Sequence, residues 1–215
     1  MSPICLTSIL SQDKYRQKLF MQQHGIPVAP FVDVASLEQC IEAGRTLGYP
    51  FVLKNATLAY DGRGNAMVQS EEVVQQCYER LGGSGLYAEQ FVPFAKELAV
   101  MVVRTEEGGE GGEDDPAHIH MYPLVQTVQH NSICDTVVCP AQVPDSVREV
   151  ALDVARRAVG CLRGRGVFGV EMFMLADGQI LYNEIAPRSG YVYAAIYVYI
   201  SMACLSGWCS GAYFL

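Results

Sequence analysis

Apolar positions along this chain recur at two different spacings, and the switches between them mark the elements. Ser11 to His24 predicts a helix, with Ser11 as N-cap and Gly25 as its stop. Ser36 to Leu47 predicts a second helix, closed by Gly48 and Pro50. Phe51 to Lys54 is a short strand, Asp61-Gly62-Arg63-Gly64 a loop, and Ala66 to Gln69 another strand. Ser70 caps a third helix whose first turn carries Glu71 and Glu72, complementing the helix dipole. Leu86–Val92 and Glu97–Arg104 predict strands flanking a turn at Pro93. Thr105–Pro116, rich in glycine and acids, is a surface loop by composition. His118–Val128 and Ser132–Val138 form a strand pair, and Asp145 caps a helix running to about Arg163. Strands mostly hairpin with one another, so the fold class is α+β with antiparallel sheet.

The last predicted hairpin carries the first chemical signal. Two apolar runs, from Val170 and up to Ile185, meet at Asp177-Gly178, a pair that tolerates the positive φ of a two-residue turn. In that register residues whose numbers sum to 355 face each other, which opposes Glu171 and Glu184. Directly opposed Cβ atoms lie about 5 Å apart, where two carboxylates repel. A divalent cation removes the repulsion, and hard carboxylate oxygens suit Mg²⁺. The alternative is a longer loop that shifts the register and leaves two solvated glutamates.

Composition narrows the field. The chain has 215 residues, 50% hydrophobic and 18% charged, enough for one or two folded domains. A net charge of −8 without a Lys/Arg run argues against nucleic acid as a partner. None of the 8 cysteines forms a Cys-x-x-Cys pair, which fits buried thiols in a reducing cytoplasm. The N-terminal residues lack the pattern of a signal peptide. From Tyr191 to Leu215 no residue is charged, a run long enough to span a bilayer. Four tyrosines crowd its start, Ser, Gly and Cys interrupt it, and no basic cluster flanks it, so membrane insertion is not expected.

Two other segments offer chemistry. Lys54 ends an apolar strand and precedes Ala59-Tyr60-Asp61-Gly62-Arg63-Gly64-Asn65, where glycines let backbone N–H groups approach an anion. An ordinary flexible turn beside a surface lysine has the same local pattern. Glu89-Gln90-Phe91-Val92 leaves a strand whose backbone can meet an adenine edge, and Glu97 can accept from ribose hydroxyls. Exposed acids at a strand end are the plain alternative. The four histidines show no spacing for a metal or a nucleophile–base pair.

Taken in order, Gln12-Asp13-Lys14-Tyr15, Lys54, Tyr60-Asp61-Gly62-Arg63-Gly64, Glu89 to Phe94, Glu97, Tyr122-Pro123-Leu124-Val125, Phe168-Gly169-Val170-Glu171 and Asn183-Glu184-Ile185-Ala186-Pro187-Arg188 resemble the ATP-grasp domain of N5-carboxyaminoimidazole ribonucleotide synthases, most closely the fungal form that belongs to a larger phosphoribosylaminoimidazole carboxylase. The resemblance covers residues 11 to 188. It implies two lobes with mostly antiparallel sheets enclosing ATP: a lead-in at 1–26, a small lobe at 27–90 and a large lobe at 91–188. It implies a purine-biosynthetic carboxylating ligase, acting in the cytoplasm and often homo-oligomeric. ATP phosphorylates bicarbonate to carboxyphosphate, and the carboxyl passes to aminoimidazole ribonucleotide. By resemblance Lys14 and Lys54 contact phosphates, and Ala59, Tyr60, Asp61, Gly62, Arg63, Gly64 and Asn65 cover them. Glu89, Gln90, Phe91 and Val92 hold adenine and Glu97 holds ribose. Glu171 and Glu184 bind Mg²⁺ beside Asn183, and Lys54 and Arg188 serve catalysis.

Three departures accompany the resemblance. Gln129 stands where the family carries His, and His130 is one place late. About ten residues precede Gln12, where the family has a nucleotide-fold domain. After Arg188 the chain turns into Ser189-Gly190-Tyr191-Val192 and the uncharged run, expected to stand outside the fold. Gly190-Tyr191-Val192 is compatible with codons containing GTATGT, an intron start, so residues from about 190 are read as translated intron; genomic DNA lacking that hexamer discards this. The sequence leaves two other readings open: a silent, membrane-associated or misfolded product, and an ATP-grasp ligase with another acceptor.

Overall fold

The computed structural model describes residues 13–57, 64–105, 118–130, 133–162, 164–188 and 213–214. Two sheets organise them. The smaller is four-stranded and antiparallel in the order β1-β4-β2-β3, built from β1 (Phe31–Val34), β2 (Phe51–Asn55), β3 (Asn65–Val68) and β4 (Leu86–Gln90). Helices α2 (Leu37–Leu47) and α3 (Val74–Arg80) close its apolar face over Val34, Phe51, Leu53, Val68 and Leu86. The larger sheet runs β10-β9-β5-β7-β8-β11, with β6 also on β5. Its strands are β5 (Lys96–Arg104), β6 (Ile119–Met121), β7 (Val125–His130), β8 (Ile133–Val138), β9 (Gly166–Met174), β10 (Ile180–Arg188) and β11 (Tyr213–Phe214).

Alternation along β5 and β9 decides where the large core lies. Leu98, Val100, Val102, Val170 and Met172 point to one face, where they meet helix α4 (Asp145–Gly160) through Ala151, Val154, Ala155, Ala158 and Val159. These helix side chains are fully buried or nearly so, which closes the inner face to solvent. The opposite face carries Glu97, Ala99 and Glu171 and remains available for chemistry. Helix α1 (Lys14–Gln23) joins the same core through Met21. Arg104, 3% exposed at the end of β5, donates to the carbonyls of Val159, Gly160 and Leu162, neutralising the negative end of α4.

Several local expectations are corrected. α1 begins at Lys14, because Asp13 holds extended backbone and its carboxylate accepts from Arg16 N–H at 2.9 Å. Ser70 makes no side-chain cap; a short 3₁₀ turn at Glu71–Val73 precedes α3, and the Ser70 hydroxyl bonds the Glu72 carboxylate instead. Pro144, not Asp145, occupies the cap position of α4. The strand expected at 118–128 is two strands. β6 pairs with Val102–Arg104 and β7 with Glu97–Ala99, and Pro123 lies in the step between these two stretches of one β5 edge. The uncharged C-terminal stretch touches the sheet at one described point: Tyr213–Phe214 runs antiparallel along Val137–Val138 of β8. Among the described residues no helix is long and apolar enough to cross a membrane.

Candidate functional site

The β9–β10 hairpin opposes Glu171 and Glu184 by a route the turn rule did not contain. Gly178 N–H donates to the Leu175 carbonyl at 3.0 Å and Leu175 N–H to the Gln179 carbonyl at 2.9 Å, so the loop has three residues. Gly178 takes the left-handed position, φ +87°. Pairs near the turn therefore sum to 354, as in Met174 with Ile180 and Met172 with Tyr182. A bulge at Asn183 adds one residue and restores Glu171 opposite Glu184. The bulge also reverses parity. Residues two apart in a regular strand share a face, yet here Tyr182 is buried in the core while Glu184 turns to the open face.

Helix α1 fixes that bulge. Gln17 is buried, and its Oε1 accepts from the Tyr182 hydroxyl at 2.7 Å and from Ile185 N–H at 3.1 Å. Its Nε2 donates to the Ile185 carbonyl at 2.8 Å. Both flanks of Asn183-Glu184 are thus gripped by one amide. One helical turn earlier, Lys14 Nζ lies 2.7 Å from Glu184 Oε2.

Burial, then the charges of Glu184 and Glu97, push the Glu171 carboxyl up to about 7, against the pull of Arg188 and Lys14. Arg188 reaches Glu171 Oε1 at 3.3 Å. It can lie across β9 because residue 169 is glycine: a Cβ there would stand 3.1 Å from Arg188 Nε. Two opposed carboxylates, flanked by an asparagine amide, form a hard-oxygen donor pair that fits Mg²⁺. Among the described residues no cluster of three His, Cys, Asp or Glu could hold a metal, so such an ion needs oxygens from its ligand as well.

The small sheet supplies the opposite wall. Lys54 Nζ lies 3.1 Å from Glu89 Oε2, and Lys18 Nζ lies 3.1 Å from the same oxygen. Burial opposes the charge on Glu89, but the two ammonium groups prevail and hold its carboxyl below the usual range. Lys14, Gln17, Lys54, Asn65, Tyr87, Asn183 and Glu184 line one cavity between the sheets. Glu97 lies on the open face of the large sheet, buried, with its pKa raised by that burial. Gln129 Nε2 donates to Glu97 Oε1 at 3.0 Å, so the residue standing in place of the family's histidine meets Glu97. Beyond the end of β4, Phe91 and Phe94 are exposed, and Phe94 stacks on Phe173 with centroids 4.6 Å apart.

Comparison with known proteins decides the family. A model of the ATP-grasp domain matches residues 19–192. The chain belongs to the ATP-grasp family. Phosphoribosylaminoimidazole carboxylase from Candida glabrata is 47% identical over 180 residues, 83% of this chain and 30% of that protein. The carboxyaminoimidazole ribonucleotide synthase of Aspergillus clavatus, solved with ATP, is 41% identical with a TM-score of 0.74, covering 82% of this chain and 44% of that one. The N5-carboxyaminoimidazole synthase of Aspergillus clavatus, solved with ADP and 5-aminoimidazole ribonucleotide, is 38% identical with a TM-score of 0.72, covering the same shares, 82% and 44%. The chain thus spans less than half the length of each of these relatives.

Of the residues expected to serve an ATP-grasp site, Lys14, Lys54, Asn65, Asn183 and Glu184 meet at the cavity, with Glu171 and Arg188 on the adjoining strands. Gly64 precedes Asn65, and its carbonyl accepts from Asn55 N–H at 2.8 Å. Gln90 ends β4 and Phe91 and Val92 follow it toward the large sheet, whereas the Glu89 side chain is turned under the lysines. Ala59, Tyr60, Asp61, Gly62 and Arg63 lie outside the described residues. Gln17, Lys18 and Tyr87 were not anticipated. The signal for Lys18 was its spacing of four from Lys14, which places both on one helix face. Gln17 and Tyr87 gave none, since a lone amide or phenol in an apolar stretch reads as ordinary structure.

Proposed function

We propose that this chain binds Mg²⁺·ATP between its two sheets and forms the ATP-grasp part of an enzyme that carboxylates 5-aminoimidazole ribonucleotide with bicarbonate, in purine biosynthesis. The observation that carries this is the convergence of Lys14, Lys54, Asn65, Asn183 and Glu184 on one cavity, with Glu171 directly opposite Glu184. The relatives solved with ATP, and with ADP and 5-aminoimidazole ribonucleotide, support it.

In this reading Lys14 and Lys54 neutralise phosphate oxygens, and residues 59–65 cover them with backbone N–H groups. The backbone of residues 89–92 meets the adenine edge, and Glu97, oriented by Gln129, accepts from ribose hydroxyls. Glu171 and Glu184, with Asn183 beside them, hold Mg²⁺, which supplies charge neutralisation on the phosphoryl group in transfer. Arg188 offers a planar fork suited to bicarbonate or carboxyphosphate oxygens. Terminal phosphate passes to a bicarbonate oxygen, releasing ADP, and the carboxyl is then transferred to the exocyclic amine with release of phosphate. The substrates are small and the work is cytoplasmic.

A coupled ADP-release assay tests this. Release that requires bicarbonate and rises with 5-aminoimidazole ribonucleotide is expected. Release indifferent to bicarbonate but driven by another acid acceptor would assign the chain to a different ligase.

A further inference from the structure

Lys18 does not line the cavity, yet it is the most deeply buried ammonium among the described residues. Its side chain is 2% exposed, and among the described residues its ionic contact is Glu89 Oε2 at 3.1 Å. Lys54 leans on that same oxygen at 3.1 Å, but its side chain is 14% exposed and lines the cavity. Two lysines therefore share one carboxylate; burial pulls the Lys18 ammonium below its usual range while Glu89 pulls it back, and with both lysines protonated the triad carries one net positive charge. Glu89, 2% exposed, cannot discharge to water. If Lys18 were absent, the carboxylate would belong to Lys54 alone and the net charge would fall to zero.

We propose that Lys18 is a positioning residue for nucleotide binding: its buried ammonium occupies Glu89, which leaves the Lys54 ammonium available to a polyphosphate in the cavity. The inference rests on the ATP reading above. Burying a charge is costly unless it is paired, and an ion pair alone is a poor source of stability. A buried lysine beside an already paired acid makes physical sense when the surplus charge is used. Helix α1 contributes to both walls of the cavity in the same way, since Lys14, one turn away, meets Glu184.

ATP affinity, measured by calorimetry on this chain, tests the inference through Lys18→Met and the double variant Lys18→Met/Glu89→Gln. Removing a unit charge within several ångströms of a triphosphate in a partly buried site weakens binding by about tenfold or more. Lys18→Met is expected to show that loss. Adding Glu89→Gln releases Lys54 and is expected to recover affinity to within about threefold of the original chain. A merely structural lysine predicts no such recovery, because a second core substitution would deepen the damage. Unchanged affinity in Lys18→Met, or a double variant as weak as the single, would overturn the proposal. Should Lys18→Met fail to fold, the double variant, which has no surplus buried acid, decides by the same threefold criterion. If the original chain binds no ATP, the nucleotide reading itself fails, and that result is distinct from binding that ignores Lys18.

Discussion

Replacing Glu171 with Gln should stabilise the metal-free protein, and the size of the gain follows from the site. Burial and the opposed Glu184 raise the Glu171 carboxyl from 4.5 to about 7. A shift of that size, at about 1.4 kcal/mol per unit, corresponds to roughly 3 kcal/mol of penalty on the ionised form. Its side chain is 30% exposed, so solvent screens part of this, and about 2 kcal/mol is the working figure. The folded state holds its proton up to a higher pH than the unfolded state does, so stability falls as pH rises from about 4.5 to 7 and stays low above. Gln mimics the neutral acid and keeps an acceptor for Arg188. Urea denaturation at pH 8 with chelator should therefore show Glu171→Gln more stable by about 2 kcal/mol, or roughly 4–8 °C in melting temperature. Near pH 4.5 most of the difference should vanish. The same variant should lose the stabilisation that Mg²⁺·ATP gives the original chain. Equal or lower stability at pH 8 would refute the electrostatic account of the acid pair.

Other substitutions probe the supports of the site. Gln17→Leu strands the Tyr182 hydroxyl and both backbone groups of Ile185, and should cost about 2–4 kcal/mol in urea denaturation; a loss under about 1 would contradict the clamp. Arg104→Met leaves the last carbonyls of α4 without a charged donor, and a loss of about 2–4 kcal/mol in the same assay is expected. Gly178→Ala forces a side chain into φ +87° and brings a Cβ to 3.3 Å from Val147, for a loss of about 1–2 kcal/mol; an unchanged midpoint would contradict the three-residue turn.

The elements were legible where local rules act alone. Ser36 caps α2 as its type predicts, and β2, β4 and β5 start and stop within two residues of expectation because alternation and turn residues bound them. The acid pair was legible too, but through two offsetting departures. The Asp-Gly turn is one residue longer than its dipeptide suggests, and the bulge at Asn183 returns that residue. Neither is a local property: the bulge is held by Gln17, which is 166 positions away and meets β10 only after folding. The same limit hid Lys18, whose partner Glu89 lies on β4 of the small sheet, 71 positions away. The division of β6 from β7 was missed because two stretches of one chain share a single edge of β5, a matter of pairing that alternation does not encode.

Calorimetric titration of ATP into the chain, with Mg²⁺ and then with chelator, measures most directly whether the carboxylates opposed on β9 and β10 hold a metal under a nucleotide. One-to-one binding that requires Mg²⁺ and disappears in Glu171→Gln/Glu184→Gln is the predicted result. Binding of equal strength without Mg²⁺, or in the double variant, would contradict it.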